Sequence, residues 1–176
     1  MIREIITYPN KLLRTKSKDV VKFDDELHTL LDDMYDTMIA SNGVGLAAIQ
    51  VAIPLNILII NPINEEDIQD KNDLIEAVNP VITHKDGVQV YQEGCLSVPG
   101  YYEDITRAKH IIVEYFNRFG EKQTMECEDF LAVAWQHEME HLEGHVFIEN
   151  LSFTKRQKFE KEWKRKLKEK GNKENK

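Results

Sequence analysis

Residues 130–141 read Phe-Leu-Ala-Val-Ala-Trp-Gln-His-Glu-Met-Glu-His, and this stretch decides what kind of fold the chain builds. Its first six residues are almost wholly apolar, which predicts a helix buried at the centre of the protein. His137 and His141 are four residues apart, so they lie on one helix face, one turn from each other. Because unpaired buried His and Glu side chains are costly, this setting favours a bound ion over two solvated surface histidines.

Two imidazoles at this spacing bind a single Zn²⁺-like ion, and Glu138 stands beside it, placed to handle the proton of a water molecule. The pattern predicts metal-assisted hydrolysis but supplies only two protein ligands. Downstream, His145 and Glu149 are candidates for the third ligand, as in many zinc peptidases. Upstream, Cys95 would complete a site of one thiolate and two imidazoles with an open fourth position. Taken alone, Cys95 is better interpreted as a lone buried thiol; only the histidine pair favours it as a ligand.

Two further segments bear on the site. Cys95 lies in Glu93-Gly-Cys-Leu-Ser97, before the turn formers Pro99-Gly100, so we expect it on a bend and not in a core strand. Residues 43–50 read Gly-Val-Gly-Leu-Ala-Ala-Ile-Gln and lack the features of a phosphate loop or dinucleotide fingerprint. We interpret them as a bare backbone edge with one amide, Gln50, near the metal; a helix C-cap and small-residue turn is the alternative. Cys127 is interpreted as a small structural thiol.

Hydrophobic patterning predicts the remaining elements. A helix is expected over residues 24–41, a helix carrying the histidine pair ends near Gly144, and a last helix runs from Phe153 to Lys170 before a frayed end. Strands are expected at five places: Leu55–Ile60, Ile75–Thr83, Val88–Tyr91, His110–Phe116 and Glu121–Met125. Because strands and helices are segregated, we predict an α+β fold in which antiparallel or mixed β-sheets pack around a central metal-binding helix, with an N-terminal and a C-terminal helix.

Bulk properties limit the class of protein. The 176 residues, 41% of them hydrophobic, are enough for one globular domain with a real core. No apolar run approaches the ~20 residues that cross a bilayer, and the first residues lack a signal-type apolar core. We therefore expect a cytoplasmic protein with neither a membrane nor DNA as a partner.

The three motifs together resemble the peptide deformylase family, whose pattern is Gly-x-Gly-Leu-Ala-Ala-x-Gln, then Glu-Gly-Cys-Leu-Ser, then Gln-His-Glu-x-Asp-His. Here they stand, in the same order, as Gly43–Gln50, Glu93–Ser97 and Gln136–His141. The similarity extends from Tyr8-Pro9 to about Ser152 and departs from the family at Glu140, where Asp is usual.

The resemblance implies removal of the formyl group from the N-formylmethionine that begins newly made bacterial polypeptides. It implies three metal ligands: Cys95, His137 and His141. It implies that Glu138 is the general acid/base and that the Gln50 amide and the Leu96 backbone N–H stabilise the oxyanion. It also points to Fe²⁺ as the ion, with Zn²⁺ or Ni²⁺ able to replace it; the residue types alone would indicate zinc.

The family's substrate lies extended against Gly43, Val44 and Gly45, with its methionine in an apolar pocket. Val44, Val133 and Ala134 match positions of that pocket, although core packing also explains the two helix residues. Arg107 matches an arginine common in the family, without an assigned role.

The C-terminal segment is strongly basic. From Lys155 onward there are 11 Lys and Arg against 4 Asp and Glu, a net charge of +7, which leaves −15 for the rest of a chain of net charge −8. We expect one metallohydrolase domain over residues 1–152 and a basic helix with a frayed tail over 153–176. In bacterial relatives with a long C-terminal helix, that helix can dock on the ribosome; a merely solubilising helix is the alternative.

Two other functions remain open from the sequence. One is a zinc endopeptidase that uses His137, His141 and a downstream carboxylate. The other is a ribosome-associated binding protein with a vestigial metal site.

Overall fold

A computed structural model describes residues 1–174, and within them it contains three α-helices and seven β-strands. In chain order these elements are α1 (Asp25–Ala40), β1 (Gly45–Ala47), β2 (Ile57–Ile60), β3 (Ile75–Asp86), β4 (Gln89–Cys95), β5 (Val98–Arg107), β6 (His110–Phe116), β7 (Lys122–Glu128), α2 (Asp129–Leu142) and α3 (Phe153–Glu174). The predicted α+β class is confirmed.

The strands form two sheets. Five strands lie in the order β1-β2-β3-β6-β7, and every neighbouring pair is antiparallel. The second sheet is the antiparallel hairpin of β4 and β5. β1 forms an edge of the larger sheet, because only β2 pairs with it among the described strands. One side of its backbone therefore remains available to another extended chain.

The first helix forms as predicted. Asp24 caps it by accepting a hydrogen bond from the Leu27 backbone N–H at 3.1 Å. Its apolar stripe packs against the larger sheet, although Ile39 at its end is 36% exposed. The helix ends at Ala40, and Asn42, two residues further on, has a φ of 56° that reverses the chain toward β1.

The histidine-bearing helix α2 is buried, as its apolar flank predicts. Ala132 and Trp135 have no exposed surface and pack against Ile111 and Val113 of the larger sheet. The helix is followed by Gly144 at φ 83°, where an added Cβ would collide with the Arg14 carbonyl. The opposite side of α2 is thus turned toward the β4–β5 hairpin, and the functional residues lie between them.

Two local predictions were wrong, and two strands were not predicted. Pro99 and Gly100 do not form the turn after Cys95; they lie inside β5, and the reversal is made by Leu96 and Ser97. The sequence does not predict β1, which is only three residues long. It does not predict β5 either, because Pro99 and Gly100 favour a turn there. The last helix does not end at Lys170 but continues through Gly171 to Glu174, since a helical Gly costs only about 1 kcal/mol beside good helix formers. The rest of the predicted frayed tail, residues 175–176, lies outside the described residues.

The C-terminal helix α3 is anchored through two aromatic side chains. Phe159 and Trp163 are buried in a cluster with Tyr8, Tyr101 and Phe147. The Trp163 indole N–H also donates to the Tyr8 carbonyl at 3.2 Å. Among residues 1–174 no helix combines the length and the apolar character needed to span a membrane.

Candidate metal centre and active site

The three sequence motifs converge at one place. Cys95 ends β4 at the turn into β5, and its Sγ lies 3.4 Å from Nε2 of His141 on α2. With His137, one turn earlier on the helix, the donor atoms of the three residues all lie within 4.8 Å of one another. A cysteine 42 positions away is thus brought to the histidine pair by the β4–β5 hairpin.

The donor set fits a divalent metal. A sulfur at about 2.3 Å and a nitrogen at about 2.1 Å from one tetrahedral ion lie about 3.6 Å apart, close to the observed Cys95–His141 distance. The Nδ1 atom of His137 is 2.8 Å from Glu93 Oε1, which leaves Nε2 as its free ligand atom. Both imidazoles are buried, so an ion would relieve the cost of burying them.

A chain of carboxylate and guanidinium groups contacts the Nδ1 side of His137, away from the metal ligands. Arg107 donates to both oxygens of Glu93 at 2.6 and 2.8 Å, and to both oxygens of Glu140 at 2.7 and 3.3 Å. Burial alone would raise the pKa of Glu93, but the hydrogen bonds with His137 and Arg107 hold it below its ordinary value. Glu93 therefore stays an anion that can orient the imidazole. Glu140 also accepts from the Asn150 amide at 3.1 and 3.0 Å, so its longer side chain spans two partners.

Sequence reasoning had assigned no role to Glu93 or Arg107. A carboxylate two residues before a ligand cysteine is a weak signal by itself. The arginine that pairs with it is 14 positions away, on a strand that the sequence did not predict.

Gln50 has a fixed orientation beside the metal ligands. It is 1% exposed, and its Oε1 accepts from the Ala47 backbone N–H at 2.9 Å. Its Nε2 donates to Ser97 Oγ at 3.0 Å and to Cys95 Sγ at 3.6 Å. The amide hydrogens therefore point toward the metal site, where a developing negative charge could be stabilised.

Glu138 is the buried acid of the site. Its side chain faces Gly45, where an added Cβ would come within 2.8 Å of Glu138 Oε1. Its other oxygen, Oε2, is buried and has no hydrogen-bond partner among the described residues. Burial raises the pKa of Glu138 to about 7, while the neighbouring His137 lowers it. A carboxyl group that titrates near neutral pH is suited to both accepting and donating a proton.

A cavity of about 380 Å³ opens beside these groups. All the predicted substrate residues line it: Gly43, Val44, Gly45, Val133 and Ala134. Leu96 and Glu138 line it as well. On α2, Val133 and Ala134 lie one turn before His137 and Glu138, which places apolar surface next to the acid. Gly43, Val44 and Gly45, which lead into the edge strand β1, form one wall, so an extended peptide could pair with their backbone while a side chain enters the cavity.

The downstream ligand candidates bind each other. His145 Nδ1 lies 2.8 Å from Glu149 Oε2, and His145 is exposed. Cys95, not His145 or Glu149, stands with the histidine pair. Cys127 is buried, and burial raises the pKa of its thiol to about 11, which suits the predicted structural thiol.

Comparisons with known proteins agree on one family. The family model described as polypeptide deformylase matches residues 2–157. A peptide deformylase of Campylobacter jejuni is 59% identical over 169 residues, covering 96% of this chain and 97% of its own. The crystal structure of a peptide deformylase from Legionella pneumophila superposes with a TM-score of 0.88 at 37% identity, covering 97% and 98% of the two chains. The Ehrlichia chaffeensis peptide deformylase in complex with actinonin superposes with a TM-score of 0.85 at 37% identity, covering 94% and 97%.

Proposed function

The chain belongs to the peptide deformylase family, and from this premise we propose that it removes the formyl group from the N-formylmethionine of nascent polypeptides and releases formate. The observation that carries the proposal is the meeting of Cys95, His137 and His141 beside a buried carboxyl group and a cavity lined by the backbone of Gly43–Gly45. Hydrolysis of a formamide needs an activated water, a stabilised oxyanion and a proton for the leaving amine.

The metal would be held by the Cys95 thiolate and the two imidazoles. When bound, it would supply Lewis-acid chemistry that lowers the pKa of a water molecule to about 7. Glu93 and Arg107 hold His137 in the orientation and tautomer that direct its Nε2 to the ion. Imidazole and thiolate ligands suit several first-row ions, so metal availability decides occupancy. Following the family resemblance, we expect Fe²⁺ in cells, with Zn²⁺ or Ni²⁺ able to replace it in purified protein.

Glu138 would carry the proton. Its unpartnered Oε2 can accept a proton from the attacking water, and the same carboxyl group can then donate it to the leaving amine. Burial raises its pKa to about 7, which suits a carboxyl group that both accepts and donates a proton. Gly45 makes room for this carboxylate, because any side chain there would displace it.

Gln50 and Leu96 would stabilise the oxyanion. The Gln50 amide is held by Ala47 on its oxygen side, so its hydrogens are already oriented before substrate arrives. Leu96 follows Cys95 at the β4–β5 turn and lines the same cavity, and its backbone N–H would be the second donor. A preorganised donor of this kind is typically worth ~10²–10³ in rate.

The substrate would bind as an additional strand along Gly43, Val44 and Gly45. The opposite side of this segment is already bonded: the Val44 carbonyl accepts from the Asn61 N–H, and the Gly43 carbonyl accepts from the Gln69 amide. The methionine side chain would then lie against Val44, Val133 and Ala134. Because nascent chains emerge there, we place the enzyme in the cytoplasm.

The test is formate release from formyl-Met-Ala-Ser by protein purified anaerobically with Fe²⁺, with acetyl-Met-Ala-Ser as the control. We expect formate from the first peptide and no cleavage of the second. Cys95→Ser is the discriminating variant, since it should reduce metal content and activity together. Internal peptide cleavage that survives Cys95→Ser would instead support an endopeptidase. The absence of formate with Fe²⁺, Ni²⁺ and Zn²⁺ would reject the proposal.

We also propose that residues 1–152 form the metallohydrolase domain and that the appended basic helix, within 153–176, docks on ribosomal RNA. Its buried Phe159 and Trp163 fix one face of α3 on the domain. One surface of that helix is lined by five basic residues and one acidic residue: Lys158, Lys161, Lys164, Arg165, Lys168 and Glu162. Lysines and arginines segregated from an acidic body suit phosphate binding.

The docking test should leave the aromatic anchor intact. Deleting residues 155–176 would also remove Phe159 and Trp163 and expose the cluster beneath them. We therefore compare the full chain with Lys161→Glu/Lys164→Glu/Lys168→Glu in sedimentation with ribosomes at low and high salt. Docking predicts pelleting that salt weakens and that the triple variant loses. Equal pelleting of both proteins would reject docking through this surface and favour a solubilising helix.

A further inference from the structure

A second group of metal-type ligands lies on the outer face of the larger sheet. His84 Nε2 is 2.5 Å from Asp86 Oδ2, and His110 Nδ1 is 3.0 Å from the same oxygen. The three donor atoms all lie within 4.8 Å of one another. Asp86 pairs directly with His110 across β3 and β6, while His84 precedes Asp86 by two positions on the same strand. The cluster thus rests on two hydrogen-bonded strands.

An irregularity in β3 creates this arrangement. Ile82 pairs with Val113, whereas His84 pairs with Ile112, so two steps on β3 match a single step on β6. Ile82 packs against the core, and two residues later a regular strand would again point inward. The bulge turns His84 to the solvent side instead, where its ring lies 5.6 Å from that of His110.

His110 also has the outer partner that metal-binding histidines usually have. Its Nε2 is 2.6 Å from Glu126 Oε1 on β7, which leaves Nδ1 directed at Asp86 and His84. The same relation holds at the catalytic centre, where Glu93 contacts the ring nitrogen of His137 that faces away from Cys95. A carboxylate on the far nitrogen fixes the ring and raises its basicity as a ligand.

We propose that His84, Asp86 and His110 form a second divalent-cation site, with Glu126 orienting His110. Two imidazoles and one carboxylate select borderline ions such as Zn²⁺, Ni²⁺ or Cu²⁺ over Mg²⁺ or Ca²⁺, which prefer oxygen ligands. The ligands are on the surface, 49% exposed at the His84 side chain and 56% at Asp86, so solvent would complete the coordination. An ion here would tie the end of β3 to β6. The site needs no catalytic residue and does not depend on the deformylase reaction.

The test is a calorimetric titration of untagged, zinc-loaded protein with further Zn²⁺ above neutral pH, because protons compete for imidazole. We expect the full chain to bind a second equivalent that His84→Ala and Asp86→Asn abolish. Glu126→Gln should weaken it about 10–100-fold. His145→Ala is the matched control, since His145 is also an exposed histidine 2.8 Å from a carboxylate but has no third ligand partner within residues 1–174. This variant should leave the second equivalent unchanged.

Zinc-edge anomalous diffraction from the same preparation would locate the ion, which we expect among these three residues. The proposal is overturned if the full chain binds no zinc beyond the catalytic equivalent, or if His84→Ala and Asp86→Asn bind the second equivalent as tightly as the full chain does. Either result would mean that His84, Asp86 and His110 are joined by hydrogen bonds and do not bind a metal ion.

Discussion

Replacing Gln50 with alanine separates the proposed oxyanion donor from the rest of the site. The substitution removes the Nε2 hydrogens that face Cys95 and Ser97, and kcat/KM should fall by ~10²–10³, which is about 2.7–4 kcal/mol of transition-state stabilisation. It also leaves the buried Ala47 N–H without its acceptor, a separate cost to folding of about 1–3 kcal/mol. The two effects therefore have to be measured apart.

Gln50→Glu helps that separation, because it keeps an oxygen for the Ala47 N–H while replacing the amide donor. We expect both variants to lose formate release from formyl-Met-Ala-Ser. The stability of each is measured separately in urea, because Gln50→Ala loses the acceptor of Ala47 whereas Gln50→Glu buries a carboxyl group beside Cys95. Metal content per chain should stay at the level of the unsubstituted protein. Ser97→Ala is the control, since it removes a partner of the amide without removing the donor. If kcat/KM remained within a few-fold of the original in Gln50→Ala at full metal occupancy, Gln50 would not be the oxyanion donor.

Three further predictions follow from the same geometry. Gly45→Ala should lower kcat by up to ~10²–10⁴ without loss of metal, because its Cβ would displace Glu138; unchanged turnover at full metal content would exclude that acid/base role. Arg107→Ala should destabilise the fold by about 3–5 kcal/mol in urea, because Glu93 keeps a buried charge without its partner; a loss below about 1 kcal/mol would contradict this. At about pH 8, iodoacetamide should modify Cys95 in metal-free protein, and bound metal should block that modification. Cys127 should remain unmodified, because its thiol has a pKa of about 11 and stays protonated. Rapid modification of Cys127, detected by mass spectrometry, would refute this.

Much of the site could be predicted because its residues lie in short local patterns. His137 and His141 need only a helix to meet, and the apolar run before them made a buried helix the natural prediction. Cys95 was different, because residue types alone left it in competition with His145 and Glu149. The family resemblance named it, and the fold supplied the physical link, a hairpin that returns β4 to α2.

Other features depended on contacts far apart in the sequence. The chain from His137 through Glu93 and Arg107 to Glu140 joins two strands and a helix, and no local pattern encodes it. The bulge that turns His84 outward is likewise set by pairing with β6. Strand β5 could not be predicted, because Pro99 and Gly100 favour a turn locally. In the fold, pairing with β4 overrides that preference.

The segment proposed to bind substrate, Gly43, Val44 and Gly45, is short, and this bears on how broad the enzyme's substrate range can be. Three residues offer few main-chain hydrogen bonds, and those bonds are the same for every amino-acid sequence. A nascent chain bound in the proposed way would be recognised mainly through its main chain, which is common to all polypeptides. A segment this short would also give little pairing between copies of the protein.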